Sequence, residues 1–195
     1  MTIKYGLPFK IIMAIAFVIL VLLLTTRVAS QITTQTGETI NAEASFVDMA
    51  FFAGDAIKIK ASSDDDIFAA GGTIEVDATT ADHLILAGGE INITDATVGD
   101  IVAAGEVTIN SPIQNELRVA ANRIVLNSVV DGNVKLMGDE IELGPKARLG
   151  GNLQYRSENI QISPGAVITG TRSILPAGEQ ADFERWGKGS AAFFA

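Results

Sequence analysis

Residues 82–93 read DHLILAGGEINI, and the chain says almost the same thing six more times. DIFAAGGTIEV occupies residues 66–76 and DIVAAGEVTIN residues 100–110. Looser copies follow: ELRVAANRIVL at 116–126, NVKLMGDEIEL at 133–143 and NLQYRSENIQI at 152–162. An early copy, AFFAGDAIKI, fills residues 50–59. Each copy closes on an apolar–x–apolar pair: Ile57/Ile59, Ile74/Val76, Ile91/Ile93, Val107/Ile109, Ile124/Leu126, Ile141/Leu143 and Ile160/Ile162. The first members of these pairs are spaced by 17, 17, 16, 17, 17 and 19 residues. A period of that size, held over seven copies, is the mark of a solenoid.

Within one copy the apolar residues alternate, as they do on a strand with one buried face. Leu84 and Leu86 point one way, Ala87-Gly88-Gly89 reads as a turn, and Ile91 and Ile93 point inward again. Asp95-Ala96-Thr97 reads as a polar corner, and Val98 dips inward before the next copy begins. Gly, Asn, Asp, Ser and Pro gather at the corners, where bends suit them. Pro112, Pro145 and Pro164 fall there too, where no ladder N–H is lost. Short strands at this spacing form one coil of a parallel β-helix, with equivalent residues stacked about 4.8 Å apart. The chain is therefore read as all-β, a single-stranded parallel β-helix of about 17 residues per coil. Ile67, Leu84, Ile101, Leu117, Val134 and Leu153 form one inward ladder, and the seven pairs form two more. No coil can bury its inner face alone, so stability comes from stacking.

The rest of the chain divides around this domain, which is assigned to residues 48–175. Lys4 and Lys10 precede the apolar run IIMAIAFVILVLLL at residues 11–24, and Val28-Ala29-Ser30 are small. That is the layout of a hydrophobic signal helix, cleaved or kept as an anchor, over residues 1–30. The run is short for a membrane span, which needs about 20 apolar residues. Residues 31–47 are polar and read as a lead-in, an irregular first coil or a cap. Residues 176–195 read as a linker and tail. A short helix is expected at 181–186, and the apolar end 191–195 is either an ordinary terminus or the start of a membrane segment. The product is expected outside the cytoplasm, in the cell envelope. The formal charge is −9, and losing residues 1–30 would leave 11 basic against 23 acidic residues. Such an acidic rod does not attract nucleic acid or anionic lipid. With no cysteine, disulfides and thiolate metal sites are excluded.

Three phrases resemble the bactofilin repeat: Gly99-Asp100-Ile101, the run PKARLGGNL at residues 145–153, and PGAVITG at residues 164–170. The AAGG-type corners resemble the exported branch of that family, the polymer-forming cytoskeletal proteins. The resemblance covers about residues 48–172. It implies a right-handed β-helix that assembles end to end into non-polar filaments without nucleotide, near a membrane. Bactofilins proper are cytoplasmic, whereas this chain opens on an export-type segment. Members of the exported branch often continue into a C-terminal membrane domain.

Sites for chemistry are few. His83 is the single histidine and has Asp66 and Asp82 nearby, but one histidine cannot make a His-rich metal site. Asp64, Asp65, Asp66, Asp82, Asp95, Asp100 and Asp131 lie at bends; calcium β-rolls need a glycine-rich nonapeptide that is absent, so turn capping is the expected role. No nucleophile elbow is present. The coils are too short for the loop-built groove of pectate-lyase-like enzymes, and the hexads of hexapeptide acyltransferases are missing. No cofactor and no catalytic residue are expected. The reading is a non-enzymatic, self-associating scaffold, associated with the membrane through residues 1–30 or a C-terminal region. A binding module for a glycan or protein partner is the alternative.

Two sets of interaction residues follow. Ile85 sits between two inward leucines and must face out, as must its equivalents Phe51, Phe68 and Val102, which makes an apolar stripe unless residues 31–47 fold back over it. The column turns to Arg118, Lys135 and Gln154 in later copies. The rod's ends are the second set, because an uncovered end coil offers unpaired N–H and C=O groups. Leu153, Ile160, Ile162 and Val167 mark one end. Phe52, Ile57 and Ile59 mark the other, open unless residues 31–47 cover them.

Overall fold

The computed structural model describes residues 33–77 and 79–175. The segment 1–30 and the tail 176–195 lie outside the described residues, and with them the expected signal helix, the helix at 181–186 and the apolar end.

Every strand pairing between coils is parallel. The early coils are built from long strands: β1 (Thr33–Ala42), β2 (Ala50–Ile59), β3 (Ile67–Val76), β4 (Thr79–Ile93) and β5 (Ala96–Ile109), stacked in that order. The later coils break into three short strands each. One side carries β6 (Leu117–Ala120), β9 (Val134–Met137), β12 (Leu153–Arg156) and β15 (Arg172–Ile174). The second carries β7 (Arg123–Leu126), β10 (Glu140–Leu143) and β13 (Asn159–Ile162). The third carries β8 (Val129–Val130), β11 (Arg148–Leu149) and β14 (Val167–Ile168). This is the expected β-solenoid, with about 17 residues per coil.

The inward ladders run as the alternation requires. Ala50, Ile67, Leu84, Ile101, Leu117, Val134 and Leu153 are partners from coil to coil, all fully buried. Ile57, Ile74, Ile91, Val107, Ile124 and Ile141 form the next ladder, likewise buried. Each such Ile or Leu contributes roughly 1.5–3 kcal/mol on burial. A narrower ladder of small residues fills one corner, including Thr79, Ala96, Ser111, Ser128 and Ala147. Ser111 Oγ is buried there without a hydrogen-bond partner.

Two sequence expectations are corrected. Residues 31–47 were read as an irregular first coil or cap, but β1 is a regular coil in register with β2, with Ile40 over Ile57 and Ala42 over Ile59. The glycine pairs were read as turns between strands, yet β3 runs unbroken through Gly71-Gly72, and β4 through Gly88-Gly89. Gly54, Gly71 and Gly88 are ladder partners. A Cβ on Gly71 would stand 2.2 Å from the Gly54 carbonyl oxygen, so only glycine lets the bent strands approach this closely.

Irregular steps are absorbed locally. The 16-residue step falls where β4 and β5 shift register between Ala87 and Glu90, a bulge centred on Gly105 with φ +141°. The 19-residue step adds two residues between Leu143 and Arg148. Here Pro145 and Lys146 occupy a β-turn closed by Ala147 N–H donating to Gly144 O at 3.0 Å. Arg148 and Leu149 still pair with Val129 and Val130 below and with Val167 and Ile168 above.

Candidate assembly edges and an acid-free face

At the C-terminal end the three sides of the coil finish differently. The side of β12 is covered by β15, which puts Arg172, a cation, in the ladder above Leu153. The Arg172 guanidinium lies 4.9 Å from the centre of the Tyr155 ring, and its Nη2 donates to the Tyr155 hydroxyl at 2.9 Å. The sides of β13 and β14 have no further strand among the described residues. Of the four residues expected at this end, Leu153 is fully buried, Ile160 and Ile162 are half-buried against the core, and Val167 is 48% exposed. Ile168, which the sequence reading did not name, is half-buried beside them.

The other end is corrected. Phe52, Ile57 and Ile59 were expected to stand open unless residues 31–47 covered them, and β1 does cover them: all three are buried. Among the described residues the first edge is β1 itself. Gln35 pairs over Phe52, Ile40 and Ala42 carry the core ladders, and the Phe46 ring packs 5.9 Å from that of Phe52. The signal that could have found it is Ile40-Asn41-Ala42, an apolar–x–apolar group 17 residues before Ile57-Lys58-Ile59.

The stripe forms one column, as Phe51, Phe68, Ile85, Val102, Arg118, Lys135 and Gln154 are successive partners. Phe51 and Phe68 stack, ring centres 4.7 Å apart and planes within 8°. All four apolar members are half-buried by their neighbours. β1 does not fold back over them; it extends the column, with exposed Thr34 as partner of Phe51. A parallel column two residues on holds Ala53, Ala70, Ala87, Ala104, Ala120, Met137 and Arg156. These two columns make one outer face, and it contains no Asp or Glu in a chain that has 23. The neighbouring face carries Lys58, Glu75, Glu90, Glu106, Glu140 and Glu142.

The corner that precedes this face is held by polar side chains reaching from coil to coil. His83 sits between two carboxylates, Nδ1 2.5 Å from Asp66 Oδ1 and Nε2 3.2 Å from Asp100 Oδ2. Its hydrogen bond to Asp66 holds the imidazole pKa above its ordinary value, against slight burial, and the charges of Asp66, Asp100 and Asp82 act in the same direction. Further along, Glu116 N–H donates to Asp100 Oδ1 at 2.6 Å, Asn152 N–H to Asn133 Oδ1 at 3.0 Å, and Thr171 N–H to Asn152 Oδ1 at 2.8 Å. The Asn133 amide, ahead of the Arg118 guanidinium, holds the Glu116 carboxyl below its usual range. Sequence reasoning put Asp66 near His83 but missed Asp100. Asp65 and Asp100 cap N–H groups, the role expected of corner aspartates. Among the described residues no cluster of three or more His, Asp or Glu could hold a metal ion.

A family model for bactofilin, described as polymer-forming cytoskeletal, matches residues 73–173. The chain belongs to the bactofilin family. No curated protein and no solved structure matches it. The bactofilin match begins near the end of β3 and runs into β15, so it takes in the edges of β13 and β14 as well as Ile85, Val102 and the polar corner from His83 onward, but not Asp66. β1 and β2, with Phe51, come before it and continue the same ladders. Structural polymer formation is thus the family's described role, and the β-solenoid is the fold that carries it.

Proposed function

We propose that this bactofilin is a non-enzymatic scaffold of the cell envelope that polymerises by stacking its end coils and stays at a membrane. The uncovered edge at β13 and β14 carries the reading. Two strands there have outward backbone groups with no strand partner among the described residues, directly above the core ladders. Ile160, Ile162 and Ile168 are only half-buried, so another coil placed on them would extend the ladders and bury them. Like ends meeting give a two-fold contact, which propagates when both ends pair. The right-handed winding and the non-polar filament belong to this reading. So does membrane association through the apolar run at residues 11–24.

The double change Ile160→Lys with Ile162→Lys tests it by light scattering beside the parent. A folded but smaller species is the expected result, because two ammonium groups would have to be desolvated at the joint. A parent that is monomeric at high concentration would overturn polymerisation. It would leave the second reading, a module that binds a glycan or protein partner, which the apolar columns favour.

A further inference from the structure

We infer that Arg172 is a built-in brake on the C-terminal joint, an inward-pointing cation that keeps end-to-end stacking weak and reversible. The inference rests on the stacking of end coils proposed above and names the residue that limits it.

The shape of the end decides which strands meet. The chain climbs about 4.8 Å per coil, one strand spacing, so the last strand on each side stands at a different height. β13 is lowest, β14 is in the middle and β15 is highest. Turning a second copy end over end sets its highest strand over the lowest strand of the first. The gap closes evenly only when β14 faces its own mate and each β15 lies along the other copy's β13. A two-fold contact repeats every such pairing, so each joint holds two β15–β13 seams.

Each seam brings a cation into the core. Arg172 is the ladder partner of Leu153, which is fully buried, so Arg172 occupies an inward position. β13 offers it Ile160 and Ile162, which continue the Ile141 and Leu143 ladders. β13 reads Asn-Ile-Gln-Ile and has no carboxylate to meet a guanidinium. Within its own chain Arg172 touches the Tyr155 ring and hydroxyl, and neither carries a charge to offset it. In the single chain Arg172 is exposed. Closing the seam strips its water, and a desolvated cation without an anion opposes the contact. Proteins use inward charges on edge strands to hold back edge-to-edge pairing.

Arg172 does not step aside with its strand, because β15 is fastened at both ends. Thr171 N–H and Oγ1 both donate to Asn152 Oδ1, at 2.8 and 2.9 Å. Leu175 is buried and donates its N–H to the Tyr155 carbonyl at 2.8 Å, while its own carbonyl accepts from the Arg156 guanidinium. Ile160, Ile162 and Ile168 draw two ends together and Arg172 sets them back. That balance suits a stack that can be taken apart again.

Full-length chains carrying Arg172→Leu, Arg172→Gln or Arg172→Lys are compared with the parent by light scattering over a concentration series, with the melting temperature as the check on folding. The concentration at which assembly begins should fall roughly ten- to a hundredfold for Leu. It should fall less far for Gln and stay near the parent's for Lys. Where the Leu variant does not fold, the difference between Gln and Lys decides. Neutral variants that begin to assemble at the parent's concentration or above overturn the inference and leave the stacking reading intact. A Lys variant that falls as far as Leu overturns it too, because the lost Tyr155 contacts rather than the charge would then be the cause. Adding Ile160→Lys with Ile162→Lys to the Leu variant should restore a small species. Assembly that persists in that background shows unspecific clumping of the new leucine and overturns the inference. A parent that stays monomeric while the Leu variant assembles upholds the brake and overturns stacking by the natural chain. If neither the parent nor any variant assembles, both readings fall.

Discussion

The early coils and the late coils solve one problem with different chemistry. From β2 to β5 the first two sides of each coil are one bent strand, and the bend is a stack of glycines whose backbones touch. From β6 onward the strands stop at the corner, and the corner residues become Ala121-Asn122, Gly138-Asp139 and Ser157-Glu158. The inward ladders cross from one region to the other unbroken, with partners 16 residues apart on the first side and 17 on the second. The lesson is that the core fixes the coil, while the corner is free to be a tight glycine bend or a wider polar break. The outer face changes in the same place, from apolar side chains to basic ones.

The comparison breaks most sharply at Gly105. A Cβ there would stand 1.9 Å from the Gly88 oxygen, at a φ of +141°. Gly105→Ala should cost more than about 4 kcal/mol, in the exceptional range for one substitution. Ala121→Gly, at the next corner, should cost no more than about 1 kcal/mol. Thermal unfolding followed by circular dichroism separates them, and similar losses at both sites would mean the corners are equivalent after all. The shared core gives the next effect: Ile91→Ala and Ile141→Ala, one in each region and both fully buried, should each cost about 2–5 kcal/mol. A much smaller loss at one would show that the ladder is not continuous in its energetics.

Ser111→Ala has a smaller effect and the opposite sign. Its hydroxyl is buried without a partner at the transition between the two regions, so removing it should raise stability by roughly 1 kcal/mol in denaturant titration. The smallest effect is confined to the early coils, which hold the single histidine. Because the folded pKa of His83 is raised, its contribution is fully present below the unfolded value of about 6.5 and fades as pH rises through the folded value. The melting temperature should fall slightly over that window, and His83→Gln should flatten the slope. The side chain is 46% exposed, so solvent keeps the change small.

What the sequence made legible was whatever repeats in apolar side chains. The pairs from Ile57/Ile59 to Ile160/Ile162 announced the coil, its period and its inward face, and even the 16- and 19-residue steps map onto a bulge and a proline turn. β1 was hidden because its first inward positions are Thr33 and Gln35, leaving Ile40 and Ala42 as the only apolar signal. That concealment moved the N-terminal edge away from Phe52, Ile57 and Ile59. Gly71-Gly72 read as a turn because glycine marks both a turn and a close approach of backbones, and only the register tells them apart. The pairing of His83 with Asp100 was legible in principle, because the period that puts Asp66 one coil to one side of His83 puts Asp100 one coil to the other.

The direction of the ladder hydrogen bonds has a mechanical consequence. In a parallel solenoid they run along the long axis of the stack, from each coil to the next. A pull along that axis loads every hydrogen bond of an interface together, whereas a peeling force at one corner loads them one at a time. The stack should therefore resist stretching far better than unwinding from an end. Under load the first element to yield would be β15, a three-residue strand with only β12 beneath it.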